Sequence, residues 1–443
     1  MYLDHLQDAS TEEDLDRRLS EFPRNLADAY QKLDEDGCRG FRRDEMQHRR
    51  DLLLTALTSL RPLKIDEIAS LHQFRKGKES DVLRFSRPFL ILDDGYVKFT
   101  HSTVREYLLI PSLGQDAATY RTCVSSIRST LAEKTVAVLS KPEFGDLGNI
   151  KDILLQNIEE LDEPAEATSA TRAMTEPAYD YAAKSWYQHV AEAEEWTERL
   201  AQALRKFLPS AQFVHWAEYV TNADGEGTRL SRSREILRDC AVARHGLDLE
   251  HYCIFPYQTT SSRFDAEAGD QLLRWLTLKE LGNYLFLVGD TDLTWKIRKQ
   301  VADELGALLG REHPLFLRAL SESAYSCFLS NDMRQALTDY QYLYETQSRI
   351  LGPDKPGTLT ALAYRGHAHY YMGHVDEALE SLWEAVEGFR RLLGETHINT
   401  LGFLWNVAIL FEAYGRDEEA MVILRTILEE RVKALGDADL FAV

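Results

Sequence analysis

The dipeptide Leu-Gly recurs at Leu309-Gly310, Leu351-Gly352, Leu393-Gly394 and Leu435-Gly436, and each interval is 42 residues. Three identical intervals in the last third of a 443-residue chain need a common structural cause. The register holds between these marks. Leucine follows each glycine at seven residues (Leu317, Leu359, Leu401) and again at ten (Leu320, Leu362, Leu404). A small residue follows at fourteen (Ala324, Gly366, Ala408), and then a turn residue (Asn331, Gly373, Gly415). Alanine comes next (Ala336, Ala378, Ala420), and after it a large apolar residue (Tyr340, Leu382, Leu424). Steps of three and four mark two amphipathic helices per unit. Asn or Gly between them suits a left-handed helix C-cap, and small residues on both sides of the turn let the two backbones approach.

The chain is therefore expected to be mainly α, ending in an α-solenoid over 269–443. Three stretches carry a family likeness: Leu309-Gly310-Arg311-Glu312-His313-Pro314, Leu393-Gly394-Glu395-Thr396-His397-Ile398-Asn399-Thr400-Leu401, and Leu404-Trp405-Asn406-Val407-Ala408 with Tyr414-Gly415-Arg416-Asp417-Glu418-Glu419-Ala420. They resemble tetratricopeptide repeats in the form found in kinesin light chains. The resemblance implies a protein or peptide ligand held in a groove lined by the first helix of each unit. A degenerate unit is expected at about 269–309, with Gly289 in its turn and Thr294 where the others have alanine. Val443 falls where a further unit would begin, so an apolar end face and self-association through it are expected there.

Charge and composition exclude several functions. With 72 Asp+Glu against 51 Lys+Arg the net charge is -21. Such a field repels phosphate backbones, so no nucleic-acid partner is expected. No run approaches the roughly 18 apolar residues of a spanning helix, so no membrane partner is expected either. Met1-Tyr2-Leu3-Asp4-His5 has neither the basic flank nor the apolar core of a signal peptide. Five scattered cysteines without a CxxC pair fit a reduced, cytoplasmic setting.

Residues 1–22 read as a tail and 23–112 as a mixed α/β module. Helical periods cover 23–33 and 46–60, Arg61-Pro62-Leu63 ends the second, and 64–68 begins another. Phe89-Leu90-Ile91-Leu92, Asp93-Asp94-Gly95 and Tyr96-Val97-Lys98-Phe99 spell a β-hairpin, followed by a helix over 102–109. That is the outline of a winged helix. The stretches at 61–68, 97–109 and 179–189 together resemble the winged helix and the helical region after it in fungal STAND proteins. These are NOD-like-receptor relatives built on a NACHT ATPase. The resemblance implies a nucleotide-dependent switch in which His101, in His101-Ser102-x-x-x-Glu106-Tyr107, touches the β-phosphate of bound ADP. The chain departs from that pattern because no G-x-x-x-x-G-K-[ST] loop occurs. Gly77-Lys78-Glu79-Ser80 lacks the upstream Gly and the hydroxyl directly after Lys. His101 is then a remnant of the sensor, structural in this chain, or one side of a site completed by a STAND ATPase in trans. Residues 113–268 read as a helical connector. Trp196, Leu200, Leu204 and Phe207 share one face there, and a solvated acidic linker covers 159–177.

Metal and catalytic patterns are weak. Asn222-x-Asp224-x-Glu226-Gly227 opens like a calcium loop, yet Ser233 stands where Glu should be the twelfth residue. His367, His369 and His374 lack the spacing of a zinc site, so no metal is expected, and the register puts His369 in the core with Cys327 and Phe411. No G-x-S-x-G occurs, and carboxylate pairs are too common in so acidic a chain to specify anything. No catalytic residue and no cofactor is implied.

What remains is a grip. By register, Arg318, Glu322 and Tyr325 of one unit line the groove with Tyr364, His367 and Tyr370 of the next and Trp405, Asn406 and Ile409 of the third. Aromatics and an arginine at a groove centre are the types that dominate binding energy. Asn406 matches a family asparagine able to bond a peptide backbone. Glu322 and Tyr364 depart from the family pattern, so peptide specificity does not carry over.

Three readings follow. The first is a non-enzymatic interaction or sensor protein whose STAND module lacks its ATPase. The second is a complete STAND NTPase whose gene model begins downstream of the P-loop. The third is an adaptor like a kinesin light chain, which would need a heptad-rich coiled coil before the repeats. Under the first, residues 1–443 bind neither ATP nor ADP. Calorimetry with each nucleotide checks this, and a micromolar constant for either overturns it.

Overall fold

The computed structural model describes residues 26–75, 77–109, 118–159, 176–193, 196–224, 232–233, 235–236 and 249–435. The tail, most of the acidic linker, the calcium-like loop from residue 225 and Val443 lie outside these residues. The fold is mainly α, and among the described residues no helix is long and apolar enough to cross a membrane. The chain divides into two compact units, Met1–Thr260 and Ser261–Val443.

In the first unit, α1 (Leu26–Gly37) and α2 (Arg43–Thr58) lead into β1 (Leu63–Lys64), α3 (Ile65–Leu71) and α4 (Ser80–Ser86). The hairpin β2 (Leu90–Asp93) and β3 (Tyr96–Phe99) follows, then α5 (Ser102–Leu109). The antiparallel sheet has the order β1-β3-β2. Its hairpin turns on Asp94 and Gly95, both at positive φ (49° and 77°), which matches the twist of the flanking strands. β1 and α4 are absent from the sequence reading, because two residues of strand and seven of helix offer too little periodicity. Arg49 knits the module together. It is buried, pairs with Asp34 at 2.6 Å and donates to the carbonyls of Phe85 and Arg87.

The unit continues with α6 (Ala118–Leu139), a 3-10 turn (Pro142–Gly145), α7 (Leu147–Glu159), α8 (Tyr179–Glu192), α9 (Glu198–Phe207) and α10 (Ala211–Asp224). Its boundary falls inside α11 (Leu249–Ala268). The core of these helices is aromatic. The Trp186 and Trp216 rings lie 5.2 Å apart, and the Trp216 indole donates to the Ala183 carbonyl at 2.9 Å. On α9, Leu200, Leu204 and Phe207 are buried, as their spacing predicts. Glu176, expected in the solvated linker, is instead buried and held by Ser70 and Lys141, since a carboxylate can leave water only against such donors. Two of the STAND-like stretches meet at one point. Arg61 bonds both Glu67 oxygens (2.8 and 2.7 Å) and lies 5.1 Å over the Tyr181 ring. The Tyr181 hydroxyl accepts from the Leu60 amide at 3.3 Å.

The second unit stacks helical hairpins. These are α12 (Gln271–Leu287) with α13 (Thr291–Leu309), α14 (Pro314–Leu329) with α15 (Met333–Ile350), α16 (Pro356–Tyr371) with α17 (Val375–Leu393), and α18 (Ile398–Ala413) with α19 (Asp417–Leu435). The second helices begin at residues 291, 333, 375 and 417, one stride apart. Each hairpin turns through a left-handed residue, and at Asn331 (φ 61°) the side chain accepts the strain that glycine avoids elsewhere. Asp290 and Asp332 cap the second helices that follow them. Within the hairpins the backbones approach at small residues. A Cβ added to Gly366 would come within 2.9 Å of Leu382 Cγ and 3.1 Å of the Ala378 carbonyl. Leu362, Leu382, Leu401 and Leu404 share one core that runs from unit to unit.

Buried imidazoles make the first unit sensitive to acid, and His72 is one of them, held well below its ordinary value by burial, Lys134 and His48. His189, against the Tyr181 hydroxyl at 2.7 Å, is lowered to about 4 by burial and by Arg128. His215, against the Tyr179 hydroxyl at 2.6 Å, is lowered to about 4 by burial. Both are neutral when folded, so the unfolded chain binds more protons below its ordinary histidine range. Their contribution is complete above about pH 6.5 and is lost as pH falls toward 4, on the order of 3 kcal/mol each. Urea melts at pH 7 and pH 5 should show this loss, and His189→Gln with His215→Gln should reduce it. An unchanged pH slope in the double variant would count against the assignment.

Candidate functional site

The first helices α14, α16 and α18 carry the nine residues expected in the groove. Their floor is a row of rings. Phe286, Tyr325, Tyr364 and Phe403 stand one on each first helix, 39 residues apart. Their centroids are separated by 5.7, 5.5 and 6.4 Å, with planes at 70°, 76° and 84°. Thirty-nine is the stride less three, about one helical turn, so each first helix meets the next a turn nearer its N-terminus. Tyr340 of α15 stacks on Tyr364 at 5.2 Å and 22°. Such pairs add roughly 0.5–1.5 kcal/mol each beyond their burial. Burial, with Tyr325 nearby, pushes the Tyr364 hydroxyl above its ordinary range.

His367 sits beside the row, 5.6 Å from Tyr364 and 6.5 Å from Phe328. Burial lowers its imidazole to about 4, so it presents a neutral ring at pH 7. Tyr370 pairs with Tyr371 (5.0 Å) and Tyr414 (6.2 Å), and Tyr371 joins this group to the row through Phe328 at 6.0 Å. Trp405 is 51% exposed, Ile409 40% and Tyr371 62%, while Asn406 is half-buried.

Arg318 and Glu322 enter an ion network. Arg318 donates to Glu322 at 3.2 Å, and Lys279 lies 3.2 Å from Glu322 and 3.0 Å from Glu280. Arg298 donates to the Glu322 carbonyl (3.2 Å), Ser326 Oγ (3.1 Å) and Asn283 Oδ1 (3.0 Å). Burial opposes the charge of Lys279, yet Glu280 and Glu322 hold its ammonium above the ordinary value. Sequence reasoning missed Lys279, Glu280 and Arg298, because charges in a degenerate unit look like a solvated helix face. The 39-residue ring spacing is the signal that reveals Phe286 and Phe403.

The structure thus gathers Tyr325, Tyr364 and His367 into one aromatic cluster. It couples Arg318 to Glu322 and sets Trp405 and Ile409 on the exposed surface. His369 departs from the register. It is half-buried, with its Nδ1 3.3 Å from that of His374, since a polar ring finds a partner across the turn that the core does not supply. Among the described residues no group of three or more His, Cys, Asp or Glu is arranged to hold a metal. His101 is exposed in the first unit. Its Nδ1 accepts from the Thr103 amide at 3.2 Å, which caps α5, and the Thr103 hydroxyl bonds Tyr30 at 2.6 Å.

No family model and no curated protein matches the chain. Solved structures do. One is a Podosopora anserina kinesin light chain protein with nearly identical TPR-like repeats, 20% identical over 46% of this chain and 96% of that one, with a TM-score of 0.38. Another is BtubC (BKLC) from P. vanneervenii, 16% identical over 50% and 87%, TM-score 0.38. A third is a Signal Transduction ATPase with Numerous Domains (STAND) protein with a tetratricopeptide repeat sensor from Pyrococcus horikoshii, 11% identical over 99% and 66%, TM-score 0.34. Likenesses of this degree transfer no residue role to this chain.

Removing one ion from the buried network leaves opposite charges uncompensated. Lys279→Met should lower unfolding stability by about 3 kcal/mol, and adding Glu280→Gln should recover part of it. Chemical denaturation of both variants checks this, and a silent Lys279→Met would show that the network is solvated.

Proposed function

We propose that residues 261–435 bind a segment of a protein partner along the first-helix face, without catalysis. One observation carries this reading. A locked row of rings forms a rigid floor, and large apolar side chains (Trp405, Ile409, Tyr371) stand exposed on the same helices. Pre-organised aromatics contribute area at little entropic cost, which suits recognition of a peptide. Arg318, Glu322, Tyr325, Tyr364, His367, Tyr370 and Asn406 would line or support that surface. Glu322 and Tyr364 act mainly as support, given their ion pairs and ring contacts.

The first unit is read as a STAND-type regulatory module of winged-helix form, and residues 1–443 contain no P-loop sequence. The small sheet, the Arg61–Glu67–Tyr181 junction and the position of His101 support this. His101 keeps Nε2 for a phosphate on an ATPase in trans while Nδ1 caps α5. Met421, Val422 and Leu428 are exposed on α19, and a second copy would dock there.

A peptide library displayed on phage and selected on the full chain supplies the probe. Trp405→Ala with Ile409→Ala should weaken the selected peptides at least about tenfold, the loss of roughly 1.4 kcal/mol, with an unchanged melting curve. Undiminished binding would overturn the assignment of the first-helix face. Light scattering at two concentrations separates peptide binding from self-association.

A further inference from the structure

Successive second helices meet over the first helix between them, and the three such junctions are filled differently. Where α15 and α17 flank α16, Arg365 fills the junction. Its guanidinium lies 4.7 Å over the Tyr344 ring, donates to Ser381 Oγ at 3.0 and 3.3 Å, and reaches Gln341 Oε1 at 3.2 Å. One stride later the same positions hold Val407, Val386, Ile423 and Trp383, which pack as hydrocarbon. One stride earlier, where α13 and α15 flank α14, they hold Ser323, Ala302, Asp339 and Lys299. Ser323 and Ala302 cannot reach across, and a cavity of about 320 Å³ remains.

Its chemistry differs from the apolar junction. Asp339 stands where Ser381 holds the guanidinium next door, and Asp303 also lines the cavity. Gln335 donates to Asp339 at 2.9 Å. Among the described residues neither Asp339 nor Asp303 forms an ion pair, and burial pushes the Asp339 carboxyl above its ordinary value. Two cations share the wall, Lys299 and Arg311, close enough to draw the Asp339 carboxyl down against its burial, and each also lies against a ring. Lys299 is 5.1 Å from the Trp295 centroid, and Arg311 is 5.0 Å from that of Tyr342.

We propose that this cavity receives one arginine side chain of a protein partner, with the guanidinium against Asp339 and Asp303 and the methylene stem over Ala302 and Ser323. The neighbouring junction shows the slot shape that a guanidinium fills within this same repeat. Asp339 offers a carboxylate where Ser381 offers a hydroxyl, and a planar fork meets a carboxylate through two parallel hydrogen bonds. A lysine ammonium is a point charge that leaves the slot part empty. The site lies on the second-helix side, so it adds a specificity element that does not depend on the first-helix surface.

The test uses the full chain labelled with 15N, with the Trp295 indole as reporter, assigned through Trp295→Phe. N-acetyl-arginine amide should shift it saturably at millimolar concentration, about what a single side chain supplies, and N-acetyl-lysine amide should bind at least about fivefold more weakly. Asp339→Asn should weaken the arginine probe at least about tenfold. Ser323→Arg, which copies Arg365 into the cavity, should abolish the shift with no loss of melting temperature. If that variant fails to fold, Ala302→Tyr, which copies Tyr344, should block the probe in the same way. Equal affinity for the lysine probe, no saturation by about 50 mM, or an unchanged constant in Asp339→Asn would each overturn the proposal.

Discussion

Every first helix in the second unit leans on its neighbour through a ring set one turn earlier. The row Phe286, Tyr325, Tyr364, Phe403 fixes both the spacing and the axial offset between units. A stack of hairpins joined only by aliphatic contacts can slide, because methyl groups tolerate many registers. Edge-to-face rings do not, since their electrostatics favour a narrow range of distance and angle. The exposed side chains of α14, α16 and α18 therefore hold fixed positions relative to one another, and a ligand that spans them does not have to order them.

The same backbone stride accepts three kinds of filling where second helices meet. Hydrocarbon, a stacked guanidinium and an open polar cavity occupy equivalent places one stride apart. Repeat architecture permits this because each junction is made by nearest neighbours alone, so a change in one does not propagate. The degenerate hairpin α12–α13 shows the cost of that freedom. Its Lys279 and Arg298 are buried and Glu280 half-buried, and their charges are held by partners within hydrogen-bond reach.

The first unit solves burial in another way. Arg49, Glu176, His189 and His215 are polar groups in its interior. Arg49, Glu176 and His215 are each held by a carboxylate, a hydroxyl, a carbonyl or an ammonium from a different segment, and His189 by the Tyr181 hydroxyl two turns earlier on its own helix. Such bonds, with the contacts of Leu60 and Arg61 to Tyr181, tie stretches that no local pattern connects.

The helical pairs of the repeats were legible because a period of 42 and steps of three and four are properties of the chain itself. Alanine or glycine at the turn, leucine at seven and ten, and Asn331 in place of glycine each state a backbone requirement. The hairpin at Asp94-Gly95 and the buried face of α9 were readable for the same reason. The sequence by itself determined which residues form helices in the repeats and which small residues let them touch. Only the tertiary structure decided that Tyr364 is stacked while Trp405 is exposed, that His369 turns to His374, that Glu176 is buried, and that Ser323 leaves a cavity where Arg365 fills one. Those outcomes depend on which side chain the next unit or a distant segment brings within a few ångströms, and periodicity along one chain carries no information about that.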